Sequence, residues 1–312
     1  MLQNLQPRPI YFSVAARANK EDLMDLPADA PVEMIVNPAW QWAFGLLHFG
    51  VAGLTIYLAA RNPLRHRDWW ELLFRMVILF SGALGAVVFE GAVDRAGKLW
   101  YAEHGAWRLV EFWGTHVPLW VAQVYLWFIG GGSLFIIQRI RNGSRPRDFL
   151  FIFGGIAVAD LLLEVPIIKI AKLYTYYGDN QPFFNEHWFP LPLWFISTNR
   201  LFDLVPALLI LVLMSFRTKW VIAAIPVVMF GSMYVSYAFV AWPTVTALHS
   251  GASPLLAALA ATYTIAVGVG ATFVGAHLAP KMKNIMQHHD GPSASGRSVR
   301  SAAEPERASA LA

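Results

Sequence analysis

Seven stretches of roughly 20 mostly apolar residues divide this chain, each long enough to cross a bilayer as a helix. They lie at roughly 40–60, 72–93, 116–138, 149–170, 191–215, 220–241 and 254–278. In hydrocarbon every backbone N–H and C=O must find a partner within the chain, and a helix satisfies them all locally. The expected fold class is therefore all-α: a polytopic membrane bundle of seven transmembrane helices over 38–280. A polar N-terminal segment (1–37) precedes it. A Ser- and Ala-rich tail (281–312) follows, without hydrophobic periodicity and expected to be disordered. The linkers are too short to fold alone, so no soluble domain is expected. Only 14% of the residues are charged, against roughly 25% in a soluble domain. The N-terminal segment lacks the continuous apolar run of a cleavable signal. There is no Cys, which excludes disulfides, thiolate metal sites and Cys nucleophiles.

The loops sort by charge. RNPLRHR (61–67), RIRNGSRPR (139–147), FRTK (216–219) and PKMK (280–283) are basic and fall on one side of a seven-span bundle. The opposite loops are balanced or uncharged: 94–115 has three basic and three acidic residues, and 242–253 has no Lys, Arg, Asp or Glu. The positive-inside rule makes the basic side cytoplasmic, placing the N-terminus outside and the C-terminus inside. Pro38-Ala39-Trp40, Pro118-Leu119-Trp120 and Pro192-Leu193-Trp194 each open a helix running from outside to inside. Proline suits a first helical turn. Tryptophan suits the membrane interface or the wall of a hydrophobic pocket.

Ionisable groups inside lipid cost at least ~2.5–3.5 kcal/mol each near the centre. Arg75 and Lys169 lie close enough to helix ends to snorkel. Five carboxylates and one Arg are harder to place. Glu90 and Asp94 share a face at the outer end of the second helix, and Asp160 and Glu164 repeat that spacing in the fourth. Glu164 lies ~6 Å further out than Asp160. Asn199, Arg200 and Asp203 form a polar turn in the fifth helix. These groups run from mid-membrane to the outer side, where three helices can converge on one polar cavity. His116 and His48 join them as candidates, as do Glu186, His187, Trp188, Tyr234, Tyr237 and Tyr263. A buried ion-pair network that only fixes helix packing is the competing account. However, the acids outnumber the one deep Arg, and a neutral carboxyl in an apolar cavity is a proton donor. That suits acid-catalysed chemistry on a lipophilic molecule, and equally proton-coupled transport.

Other chemistries lack their signatures. The histidines show no HxxxH or HExxH spacing outside the paired His288-His289, so a His-box di-iron site is not expected. No Gly-x-Ser-x-Gly elbow, P-loop or dinucleotide fingerprint occurs. Lys is absent between Ser253 and Pro280, so a retinal Schiff base has no attachment point. Gly130-Gly131-Gly132 is expected to permit close helix packing or a kink.

The stretches FEGAVDRAGKLWY (89–101), GTHVPLWVAQVYLWFIGGG (114–132) and PLPLWFISTNRLFDLVPA (190–207) together resemble the AveC-like spirocyclase family of bacterial integral membrane proteins. The resemblance covers roughly residues 35–280 and is carried by Glu90, Asp94, Trp100, Tyr101, Pro118, Trp120, Trp194, Asn199 and Asp203. It implies a multi-pass protein of the bacterial cell membrane that closes a spiroketal from a dihydroxy-ketone in polyketide biosynthesis, in some cases with dehydration of the ring. That reaction needs a proton donor at the leaving hydroxyl and a carboxylate to stabilise positive charge or accept a proton. The expected catalytic set is Asp160, Glu164 and Asp203, with Glu90 and Asp94 at the entrance. Trp100, Tyr101, His116, Trp120, Trp194, Asn199 and Arg200 are expected around the substrate. No metal or organic cofactor is required, and the expected partners are a lipophilic small molecule and membrane lipids, not nucleic acid. A proton-coupled transporter or lipid-binding protein using the same carboxyls is the alternative, with a small-molecule sensor or scaffold behind it.

Overall fold

The computed structural model describes residues 29–185, 189–216 and 220–288. Seven of its helices are long and apolar enough to cross a membrane, and they coincide with the seven expected stretches: α1 (Pro38–His66), α2 (Trp69–Gly97), α3 (Leu119–Arg141), α4 (Pro146–Ala171), α5 (Leu193–Ser215), α6 (Val221–His249) and α7 (Pro254–His288). Their outward faces carry large apolar side chains, among them Leu46, Phe151, Leu162, Val227 and Phe239, all more than 60% exposed. Such a belt suits lipid rather than water. The chain is therefore a multi-pass membrane protein. Helix α7 continues to His288, beyond the expected domain boundary at 280 and through Pro280. The rest of the expected tail, the first 28 residues, and Glu186, His187 and Trp188 lie outside the described residues.

Local chemistry sets the helix starts. The Asn37 side chain accepts from the backbone N–H groups of Ala39 (3.0 Å) and Trp40 (3.3 Å), with Pro38 in the first turn. The Asp68 side chain accepts from Glu71 N–H at 3.0 Å. These are the N-terminal donors that a helix leaves unpaired. Helices α3 and α5 begin directly after Pro118 and Pro192, as the repeated Pro-x-Trp openings suggest.

At the end away from the basic loops, two small sheets form that an all-helical reading does not include. Strand β1 (Leu99–Tyr101) precedes a hairpin of β2 (Arg108–Phe112) and β3 (Thr115–Pro118), and β4 (Tyr174–Tyr176) follows α4. The hairpin closes through Trp113 and Gly114, both with positive φ (56° and 67°), as a twist-matched two-residue turn requires. Strand β1 pairs antiparallel with β4, Leu99 opposite Tyr176 and Tyr101 opposite Tyr174. All three β1 residues are buried, so this sheet caps the bundle. The loops fold this way because they need not fold alone: the helix ends supply the surface they cover.

Helix α5 is the most enclosed span and packs on α3, α4, α6 and α7. That central position explains how one helix can carry Asn199, Arg200 and Asp203, all buried. At the basic end Arg75 donates to Glu71 (2.8 Å) and to the Ala59 carbonyl (3.1 Å), and Arg141 reaches Glu71 at 3.0 Å. Arg75 thus pairs rather than simply snorkelling.

The glycine run does pack closely. A Cβ on Gly130 would lie 2.6 Å from the Leu79 carbonyl oxygen, and one on Gly132 would lie 2.8 Å from the Asp203 carboxyl carbon. Gly130 also ends a π-helical turn, Leu126–Gly130, and two more such turns close α4 (Ile167–Ala171) and interrupt α6 (Ser236–Ala241). Backbone cannot yield as a flexible side chain can, so Gly130→Ala should cost about 1–3 kcal/mol by overpacking. A thermal melt in detergent should show a lowered midpoint for Gly130→Ala and none for Gly154→Ala, where a Cβ meets nothing within 4 Å.

Candidate functional site

Three carboxyls meet at a cavity enclosed by α1 to α6 and roofed by the β1–β4 sheet. The cavity volume is about 100 Å³, room for several waters or a small ligand group, since one water needs ~10–15 Å³. The wall is mainly aromatic and aliphatic, and Glu90, Asp160, Glu164 and Asn199 break into it from three helices.

Glu90, on α2, is buried, and each of its carboxyl oxygens accepts a hydrogen bond from a phenol: Tyr101 on β1 and Tyr125 on α3. Glu164, on α4, accepts from the Tyr174 hydroxyl at 2.7 Å, while its other oxygen lies 3.5 Å from the Asn199 amide nitrogen. The Tyr101 and Tyr174 hydroxyls belong to the roofing strands. Burial pushes both well above the ordinary phenol value of 10, and the carboxylates they face push the same way. They therefore stay protonated and donate. Glu90 and Glu164 line the same cavity from different helices. Asp160 is buried and ion-paired with Arg200 of α5.

The expected site residues thus separate. Glu90, Asp160, Glu164, Tyr101, Trp120 and Asn199 line the cavity, and Arg200 stands behind Asp160. Asp94 lies one turn beyond Glu90, fully buried, and neither of its carboxyl oxygens has a hydrogen-bond partner among the described residues. Asp203 lies outside the cavity wall against Gly132, with the Ser133 hydroxyl donating to its backbone carbonyl at 3.3 Å. Trp100 is buried in β1, and Trp194 packs on Phe195 and Tyr237 (centroids 5.7 and 6.1 Å); neither lines the cavity. Trp120 does, with its ring centroid 5.8 Å from Tyr101 and 6.3 Å from His48.

His116 sits apart, on β3, with Glu111 at 3.4 Å and Glu103 at 3.8 Å. Burial, aided by Arg108, lowers its pKa below the ordinary 6.5 despite those two acids. Among the described residues no three His, Asp or Glu side chains converge as a metal site.

Tyr125 and Tyr174 do not stand out in the sequence. Tyr125 is one aromatic among many in an apolar span. Tyr174 did leave a signal: Tyr174 and Tyr176 alternate around Thr175, the period-2 pattern of a strand with one face inward.

No family model matches the chain, and no curated protein or solved structure does.

Proposed function

We propose that this protein is an intramembrane cyclase or dehydratase of spirocyclase type, acting on a lipophilic, hydroxylated polyketide- or terpenoid-like molecule. The observation that carries the reading is the pair Glu90 and Glu164, held by tyrosines in different ways across one apolar cavity. Both oxygens of Glu90 accept from phenols, an arrangement for a carboxylate that receives charge. Among the described residues one oxygen of Glu164 has only the long contact to Asn199, leaving it to carry a proton toward a substrate.

In a hemiketal formed from a dihydroxy-ketone, Glu164 protonates the anomeric hydroxyl, whose C–O bond breaks to release water. Glu90 and the aromatic wall stabilise the oxocarbenium ion. The second hydroxyl attacks that carbon, the new C–O bond forms, and its proton passes to Glu90. The proton returns to Glu164 before the next turnover, so the net change is loss of one water. In our reading the β end faces the exterior and the Arg-rich loops the cytoplasm of a bacterial cell, as the positive-inside rule favours.

The test is incubation of the nanodisc-embedded protein with a synthetic lipophilic dihydroxy-ketone. The expected product is lighter by one water and enriched in one spiroketal stereoisomer. Unchanged substrate, or only the isomer mixture that forms without protein, would sink the proposal.

A further inference from the structure

We infer that the cavity is reached sideways, from the hydrocarbon of the membrane, through a slot between α3 and α4. The inference rests on the cavity being the working site and adds the route by which a lipophilic molecule enters it.

The exposure of the lining residues carries the argument. Six of them are not fully buried: Val124, Tyr125, Trp127 and Phe128 on α3, and Leu163 and Glu164 on α4. Leu163 is the most open, at 38%. Every other lining residue is buried, including all of those on α1, α2, α5, α6 and the two roofing strands. The roof is closed by β1 and β4, and Ile129 and Met233 are fully enclosed. The partly exposed lining residues thus all belong to α3 and α4.

The packing explains the seam. Helices α3 and α4 are joined by a short loop, yet α4 leans on α5 and α7 and makes little contact with α3. Asp160 lies near the middle of α4, and Glu164 lies one turn toward the β end. The slot therefore opens at membrane depth, facing acyl chains. A carboxyl-bearing residue that is only partly buried at that depth is costly, and a passive helix–helix seam gives no reason to keep it there. A hydroxylated lipophile arriving from the bilayer meets apolar edges first and Glu164 next. Entry from lipid also spares such a molecule the transfer through water.

The chain has no Cys, so a single cysteine reports access cleanly. Met233→Cys places a thiol deep in the cavity wall; Ala86→Cys is a second such position should the first not fold. In proteoliposomes an uncharged, lipid-soluble N-alkylmaleimide should label either variant, and a charged, membrane-impermeant methanethiosulfonate should not. Adding Leu163→Trp, which narrows the slot without touching a polar group, should slow maleimide labelling at least tenfold. Labelling by the charged reagent at a comparable rate, an unchanged rate with Leu163→Trp, or no labelling of either folded variant would overturn lateral entry. No turnover is read, so the outcome is independent of whether the cavity performs cyclisation.

Discussion

Glu164→Gln should lower spiroketal formation by about 10²–10⁴-fold, the range for removing a positioned general acid, while leaving the helical bundle intact. Gln matches Glu in shape and retains an oxygen to accept from the Tyr174 hydroxyl, and the Asn199 amide can turn to suit the new neighbour. What it lacks is an acidic proton. Tyr174→Phe provides the graded comparison. It removes one hydrogen bond, worth ~0.5–1.5 kcal/mol, so its effect should stay near tenfold. Product mass spectrometry gives the rate, and circular dichroism gives the helix content. Full turnover by Glu164→Gln alongside an inactive Glu90→Gln would move the acid role off Glu164.

That contrast shows what kind of information the sequence holds. The span positions are legible because hydrocarbon imposes one rule, length of apolar run, on every crossing helix. The polar residues of α2, α4 and α5 are legible because charge inside lipid needs a reason. Their spatial roles are not. Asp160 and Glu164 look equivalent, four residues apart on one helix, yet Asp160 pairs with Arg200 while Glu164 meets a tyrosine from a strand. Glu90 reads as a residue at the entrance, but the β1–β4 sheet folds over it and makes it part of the cavity wall. That sheet joins segments about 75 residues apart, roughly the reach of two spans and their loops, and no local pattern encodes such a pairing. Asp203, similar in type and depth to Asp160, turns toward Gly132 because only a residue without a side chain leaves room there.

The Asp160–Arg200 pair gives the second large expected effect, and its sign differs between the partners. Both side chains are about 5% exposed, and the Nε and Nη1 atoms of Arg200 have no hydrogen-bond partner among the described residues. Asp160 therefore supplies the direct compensation for a buried guanidinium. Asp160→Asn removes it, and Arg cannot shed its proton; an uncompensated buried charge costs about 3–5 kcal/mol. Arg200→Met leaves a carboxyl instead, which can take up a proton and become neutral, so the loss should be smaller. Asp160→Leu combined with Arg200→Met removes both charges of the pair. Replacing a buried pair by apolar groups is often neutral or stabilising, so the double variant should melt close to the unmodified protein. The expected order of unfolding midpoints in detergent is Asp160→Asn lowest, Arg200→Met next and the double variant highest of the three. Equal midpoints for the two single variants would remove the asymmetry argument. A stable double variant that has lost turnover would show that the pair serves the chemistry as well as the fold. That outcome has a geometric reason: Arg200 adjoins Asn199, which faces Glu164, so fixing Arg200 through Asp160 also fixes the turn of α5 that borders the acid.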